Sequence, residues 1–460
     1  MVLIVVADTH FGLKKGNINM GMPGYFADFL DWVASLEDQP VTVKVLEGPL
    51  QEKSIKEKTI YFPQKIIFLG DILELWDSED EPVAACVATI MPSLANIHAE
   101  KIYVLGNHDN ILKRIVLETP QGGYMHYRLG RSVLKVFPDV YPPPSAQIVT
   151  EKCGTTHYIF VHGHQFDKYF AESGGSYKIW SVVRNVSDSL TLYVPALFGI
   201  SCVVKIVNWI AGTSIFLGEN PTWGLLFLLT LPRIYMDIGR RLWNWIVGMR
   251  YKEQETITNF MRWWKKFAGS KSKSKSKSKS KSKTVPEDIA VVYGHTHYLN
   301  YLPSHYEPGE DMFSGGLHDY YKEASQKKGV PEKERPTLVN ISAWVSDFYI
   351  LSEKFFLTVE KASHQLKKLL VKERKERLNP ESATVGTFLY IDEDGFEFFG
   401  WNWYSEEEKP VHNVFHIPKA AIIERRERGP VTDNEKVREV LEDIGWPQKL
   451  VDLWKRDPHK

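Results

Sequence analysis

The sequence predicts an α/β fold interrupted by one long insertion, and three observations carry that prediction. Short apolar runs recur along the chain, each closing on Asp, Asn or His. Helical periodicity separates the early ones, and both features stop near residue 168 and resume near residue 285. A chain of 460 residues that is 43% hydrophobic and 25% charged has enough apolar material for cores of this kind.

The first run, "LIVVADTHFG", reads as a buried strand over Leu3 to Val6 that ends on Asp8 and His10. Residues two apart on an extended chain project to the same side, so the pair can converge on one cation, although a single strand ending this way is an ordinary polar turn. "GYFADFLDWVASLEDQP" then places Phe26, Phe29, Leu30, Val33 and Leu36 at helical spacing and stops before Pro40. "KIIFLGD" ends on Asp71, and "KIYVLGNHD" ends on Asn107, His108 and Asp109, with a helix between them from about Pro82 to Ile97. "HYIFVHGHQFD" presents His162 and His164, and "DIAVVYGHTH" presents His295 and His297. Five strands that end alike point to an active site along one edge of an α/β sheet. Beyond them, "TLVNISAWV" reads as a strand and "KFFLTVEKASHQLKKLLVKERKERL" as an amphipathic helix. "GTFLYIDEDGFEFFGW" reads as a hairpin turning at Glu393, Asp394 and Gly395, and a last helix lies near Asn434 to Asp443.

The insertion differs in character. "LTLYVPALFGISCVVKIVNWIAGTSIFL" is mostly apolar, with Lys205 its only charge, and is long enough to span a bilayer. Pro195, Gly199, Lys205 and Asn208 interrupt it, so contact with a membrane is expected rather than a crossing. From Gly163 to Thr284 there are 19 lysines and arginines against 7 acidic residues, a local surplus of +12 beside Trp209, Trp223, Trp243, Trp245, Trp263 and Trp264. Basic, Trp-rich sequence of this kind suits an anionic membrane surface. The run "SKSKSKSKSKSKSK" reads as a solvated linker. The expected organisation is a core in two parts, 1–168 and 285–408. Between them come a helical cap over 169–269 and a linker over 270–284, and an extension over 409–460 closes the chain.

Over the whole chain, 57 basic residues balance 57 acidic ones, so net charge favours no partner. Cys86, Cys153 and Cys202 are odd in number, widely spaced and without a C-x-x-C, which fits buried thiols in a reducing compartment and offers no sulfur metal site. The opening residues do not resemble a signal peptide, so a cytoplasmic, membrane-associated protein is expected.

In chain order the polar clusters read D-x-H, G-D, G-N-H-D, a His after a strand, and G-H-T-H. This ordered set is similar to the signature of the calcineurin-like metallophosphoesterases. The resemblance implies an α/β/β/α sandwich and two divalent cations, Mn²⁺ foremost, with Fe²⁺ or Zn²⁺ as alternatives. Such cations take oxygen and imidazole ligands, and a pair about 3.5–4 Å apart can clamp a phosphate and activate water. By the same resemblance Asp71 bridges the two; Asp8, His10 and His297 complete the first site, and Asn107, His162 and His295 the second. A bridging hydroxide would attack phosphorus in line. His108 would contact the phosphate and protonate the leaving oxygen, with Asp109 as the carboxylate that orients it. His162 is preferred over His164 as a ligand because it follows the strand directly, and His98, His157 and His305 read as ordinary polar histidines.

Within that family, "FLGDILELWDSEDEP", "VHGHQFD" and "VNISAWV" after "GHTHYLNYLP" resemble the UDP-2,3-diacylglucosamine hydrolase branch, which cleaves a pyrophosphate bond in a lipid-linked nucleotide. That likeness covers about residues 1–168 and 285–400. This chain has His108 where the branch has Arg, and a longer, more apolar insertion. The expectation is therefore a phosphoesterase or pyrophosphatase acting on a lipid-linked or membrane-located substrate. A nuclease, or a phosphoprotein or nucleotide phosphatase, would use the same site, but the Trp-rich apolar insertion argues against nucleic acid. A non-catalytic scaffold on the same fold would be expected to have lost ligands, and every expected ligand type is present.

Overall fold

The computed structural model describes residues 1–166, 253–275, 288–341, 344, 385–402, 413–422 and 435–446, apart from 16–17, 20–21, 49–53, 76–79, 110–111, 113–123, 130–131, 139–147, 296–298, 305–316 and 445. In chain order the strands begin with β1 (Leu3–Val6), β2 (Lys14–Lys15) and β3 (Ile18–Asn19). Helix α1 (Pro23–Ser35) leads to β4 (Val41–Leu46), β5 (Ile55–Ile60) and β6 (Lys65–Leu69), and α2 (Asp80–Asn96) to β7 (Glu100–Val104). β8 (Met125–Leu129), β9 (Ser132–Phe137), β10 (Val149–Cys153) and β11 (Thr156–Phe160) precede α3 (Glu253–Lys275). The chain then forms β12 (Asp288–Tyr293), β13 (Asn300–Leu302), α4 (Leu317–Lys327), β14 (Thr337–Asn340), β15 (Val385–Asp392), β16 (Gly395–Asn402), β17 (Asn413–Ile417) and α5 (Glu435–Asp443).

Two sheets dominate. The larger runs β17-β16-β15-β1-β6-β7-β9-β8 and the smaller β10-β11-β12-β14-β13. In the larger, β1 pairs parallel with β6, β6 with β7, and β7 with β9. In the smaller, β11, β12 and β14 are parallel. Parallel neighbours end on the same side, so the residues that follow β1, β6 and β7 emerge together, as do those that follow β11 and β12.

The period of two sorts side chains into layers. Leu3, Val5, Ile67 and Leu69 share one core with Tyr158, Phe160, Ala290 and Val292, so the two sheets pack face to face. Ile4, Val6, Ile66 and Phe68 point the other way and meet Phe26, Phe29, Leu30 and Val33 of α1 and Cys86 and Ile90 of α2. Ile159, Val161, Val291 and Tyr293 form the outer face of the smaller sheet, covered by α3 and by Tyr321 and Ala324 of α4. The result is the expected α/β/β/α layering, with central strands buried on both faces.

Met1–Phe166 and Thr256–Lys460 form one unit and Asp167–Glu255 another. Helix α3 carries a stripe of Ile257, Phe260, Met261, Trp263, Trp264 and Phe267 into the core, while Lys265 and Lys266 stay exposed. Trp264 also donates its indole N–H to Glu334 O at 2.9 Å. Trp263 and Trp264 therefore cover a sheet, where the sequence grouped them with a membrane-facing cap over 169–269. The helix continues to Lys275, into the expected linker over 270–284, whose remaining residues lie outside those described. Within the 409–460 segment, β17 is an edge strand of the larger sheet, and Val440, Leu441, Ile444 and Trp446 lie in the inter-sheet core. The hairpin at Glu393 to Gly395 and the last helix form as predicted. Cys86 and Cys153 are buried. The helix expected over 354–378, the apolar stretch over 190–217 and Cys202 lie outside the described residues. Among the described residues, no helix is long and apolar enough to cross a membrane.

His416 of β17 ties this C-terminal part to the rest. Its Nδ1 accepts from Leu46 N at 3.1 Å, its Nε2 donates to Glu397 at 2.9 Å, and its carbonyl accepts from the Trp446 indole at 2.6 Å. Lys419 adds an ion pair to Glu397 at 3.0 Å. Burial alone would raise the Glu397 pKa, but the His416 hydrogen bond and the Lys419 charge outweigh it and lower the value to about 2 from 4.5. A depressed carboxylate stabilises the fold above its unfolded pKa, and that contribution fades as pH falls through the folded value. Glu397→Gln is expected to cost on the order of 2 kcal/mol at pH 7. The gap from wild type should close between about pH 4.5 and pH 2, as read by thermal melts across that range.

Candidate metal centre

The strand ends are shaped before any side chain is considered. Among the described residues, four non-glycine positions have positive φ: Asp8 (53°), His10 (45°), Asp71 (50°) and His295 (69°). All four are predicted ligands. Asp and His tolerate the left-handed region better than most residues, yet each such turn costs about 1 kcal/mol or more. Hydrogen bonds that extend the sheets hold them there. Asp8 N donates to Gly70 O (3.1 Å), His10 N to Asp71 O (2.9 Å), Gly294 N to His162 O (2.9 Å) and Trp344 N to Asp8 O (3.1 Å).

The glycines of the motifs make room. A Cβ on Gly70 would strike the His162 ring, one on Gly106 would strike the backbone N and carboxylate of Asp71, and one on Gly294 would strike the carboxylate of Asp8. Each glycine thus leaves space for a ligand supplied by another strand. That accounts for the G-D, G-N-H-D and G-H pattern in physical terms.

Asp71 sits at the centre, 1% exposed. Its Oδ1 accepts His108 N–H at 2.8 Å; its Oδ2 lies 3.1 Å from His162 Nε2 and 4.0 Å from His10 Nε2. Two sets of residues have ligand atoms within 4.8 Å of one another, His10 with Asp71 and His108, and Asp71 with His162 and His295. Asp71 is common to both, the position a bridging carboxylate must take. His162 donates through Nδ1 to Leu69 O at 3.1 Å, which leaves the Nε2 lone pair facing Asp71 Oδ2 and, at 3.1 Å, Asn107 Oδ1. Asp8 Oδ2 accepts His295 N–H at 2.8 Å, whereas its buried Oδ1, 3.8 Å from His162 Nδ1, has no hydrogen-bond partner among the described residues. Buried acceptors that converge without donors need a shared proton or a cation, and this mixed oxygen and imidazole set fits divalent metal ions.

Without a cation, protons carry the compensation. Burial would lower the His162 pKa, but the charge and hydrogen bond of Asp71 raise it to about 10. Burial raises Asp8 to about 8. Asp71 stays well below the usual carboxylate range despite its burial, because the histidines around it favour its charge.

His108 lies beside this centre, and the carboxylate that meets it is Glu74, at 2.8 Å from Oε1 to Nδ1. Asp109, expected to orient His108, accepts from Ile72 N on the loop after β6 (3.0 Å), from Gly106 N (2.6 Å) and from Tyr103 OH of β7. His108 also falls in a ligand-spaced set, although the sequence reading gave it no metal. Glu74 had no assigned role. Its place three residues after Asp71 in "GDILE", on the loop that carries the bridging ligand, was the available signal. His164 is buried, 5.5 Å from the His162 ring and 6.2 Å from that of His295. The structure thus brings together Asp8, His10, Asp71, Asn107, His108, His162 and His295, while His297 lies outside the described residues.

Residues 1–207 match the model of the calcineurin-like phosphoesterase family. No curated protein matches the chain. Among solved structures, a single-mutant Vps29 from Entamoeba histolytica aligns at 10% identity with a TM-score of 0.25, over 91% of this chain and 100% of that one. The family match and the ligand-spaced groups support a metal-dependent phosphoesterase.

Two expectations come from this geometry. Cation binding must displace protons held on His162 and Asp8, so affinity for Mn²⁺ should fall as pH drops from about 10 and fall more steeply below about 8. Titration calorimetry near pH 7.5 in buffers of different ionisation enthalpy should show proton release. Separately, Gly294→Ala should weaken cation binding at least about tenfold by moving Asp8, with an unchanged far-UV circular dichroism spectrum. Gly24→Ala, on an open face of α1, should leave binding as it was and not lower stability.

Proposed function

We propose that this chain hydrolyses a phosphate ester or pyrophosphate at a two-metal centre, on a substrate that is lipid-linked or held at a membrane. The observation that carries the hydrolytic reading is the sharing of Asp71 by two ligand-spaced groups. Asp8 and His10 would serve one cation and Asn107, His162 and His295 the other, with His297 as a further ligand of the first. Mn²⁺ is the leading choice, since carboxylate, amide and imidazole donors suit it and no cysteine thiolate is among them. When bound, such cations supply Lewis-acid stabilisation of phosphate oxygens and water of lowered pKa.

The chain's own residues set the rest. Asp71 takes the His108 backbone N–H at 2.8 Å, which fixes that residue next to the centre. With Nδ1 of His108 on Glu74, its Nε2 would be the nitrogen that meets a leaving oxygen and delivers a proton. In the metal-free protein the charges of Asp71 and Glu74 overcome a burial that would lower the His108 pKa and raise it to about 9.

The substrate class rests on sequence. The apolar stretch over 190–217, the basic surplus and Trp209, Trp223, Trp243 and Trp245 support contact with an anionic bilayer in the cytoplasm. Trp263 and Trp264 no longer contribute, because they are buried against the smaller sheet.

Full-length protein loaded with Mn²⁺ should hydrolyse an aryl phosphate and a lipid pyrophosphate, and anionic vesicles should sediment it. Asp71→Asn should lose both metal and turnover. His108→Ala should keep the metal and lose about 10²–10⁴-fold in rate. No hydrolysis of either substrate by wild type, with metal shown to be bound, would overturn the reading, and preference for free nucleotides over lipid pyrophosphates would overturn the substrate class.

A further inference from the structure

The turn from Asp8 to His10 is tied to two distant parts of the chain. Toward the loop after β6, Asp8 N donates to Gly70 O at 3.1 Å, Thr9 Oγ1 to Ile72 O at 2.9 Å and His10 N to Asp71 O at 2.9 Å. The other tie is Trp344, whose backbone N–H donates to the Asp8 carbonyl at 3.1 Å. That carbonyl belongs to the peptide joining Asp8 to Thr9, so the bond sets ψ of a residue already held at a φ of 53°.

Trp344 can hold a carbonyl in place because its own side chain is held. The residue is 3% exposed, and its ring packs on Phe26 and Phe29 of α1 with centroids 4.9 and 4.7 Å away. Its indole N–H donates to Thr387 O of β15 at 2.6 Å, and a Cβ on the preceding Gly386 would strike the ring. Gly386 has no positive φ, so what excludes a side chain there is the indole and not the backbone conformation. β15 is also the antiparallel neighbour of β1. The strand beside β1 thus seats the residue that holds the end of β1.

We infer that Trp344 is a positioning residue for Asp8: the seat of its indole on β15 fixes where its N–H meets the Asp8 carbonyl, and with it the cation affinity of the site that Asp8 serves. This rests on the two-metal reading above. A methyl group added at Gly386 meets the indole first, so its effect on cation binding must pass through Trp344.

The test compares full-length wild type with Gly386→Ala, with Trp344→Phe, which keeps a ring but drops the bond to Thr387, and with a control, Trp32→Phe. Trp32 belongs to the same aromatic cluster, where it packs on Phe29, Phe388 and Trp401. Mn²⁺ binding to chelator-stripped protein is measured site by site by equilibrium dialysis without substrate, and thermal melts of the metal-free proteins rank their stability. Wild type is expected to bind two Mn²⁺. Gly386→Ala and Trp344→Phe are each expected to weaken one of the two sites by about tenfold or more and to leave the other unchanged. Trp32→Phe should keep both affinities while its melting temperature falls. Should either test variant fail to fold, the other decides. Wild-type affinity at both sites in the test variants, or an equal loss in Trp32→Phe, overturns the inference and leaves the two-metal reading intact. Failure of wild type itself to bind Mn²⁺ overturns both.

Discussion

The buried charge of Asp71 is the constraint around which the rest is arranged. A carboxylate at 1% exposure is costly unless its oxygens are compensated, and this one is met by a backbone N–H of His108 and, while that ring holds a proton, by His162, with His10 beside them at 4.0 Å. Those groups come from three different strand ends. They converge only because β1, β6 and β7 run parallel in one sheet while β11 and β12 run parallel in the other, with the two sheets packed face to face. The topology is thus part of the site.

The same constraint explains why the strand ends are locally unfavourable. Ordinary sterics would keep Asp8, His10, Asp71 and His295 out of the left-handed region, and the glycines beside two of them, Gly70 and Gly294, would favour neither helix nor strand. Hydrogen bonds such as Asp8 N to Gly70 O and His10 N to Asp71 O, together with two buried sheets, offset that cost. Trp344 contributes from a distance: its indole N–H bonds Thr387 O at 2.6 Å and its ring packs on Phe26 and Phe29, while its backbone N–H holds the carbonyl of Asp8. Core packing and ligand placement are therefore joined in one residue.

Much of this was legible in the sequence, and for a physical reason. A strand buried on both faces must be continuously apolar, so the abrupt change at Asp8, Asp71, Asn107, His162 and His295 marks where the sheet stops and chemistry begins. The hairpin and helices α1, α2 and α5 were visible from their periodicities, whereas α4 was not read from the sequence. What the sequence could not specify was which carboxylate meets which histidine. Asp109 adjoins His108 in the chain but its carboxylate bonds Gly106 N, Ile72 N and Tyr103 OH, while Glu74, distant in sequence, reaches His108 where Leu75 N bonds His108 O. Contact of that kind depends on how two loops cross, which adjacency in the chain does not encode.

The misplacement of Trp263 and Trp264 has a parallel cause. Tryptophan beside lysine is compatible with a bilayer surface, but it is equally what an amphipathic helix shows when one face covers a sheet and the other meets water. Composition over a window averages the two faces together. Resolved residue by residue, α3 carries Phe260, Trp263, Trp264 and Phe267 to the core and Lys265 and Lys266 to solvent, so the aromatic and the basic residues have separate roles. The smaller sheet needs that cover, because Val291 and Tyr293 would otherwise be exposed on the strand that leads directly to His295. The tail of the insertion and the ligands at the sheet edge are consequently held by the same strand, and the rigidity of one is a condition for the geometry of the other.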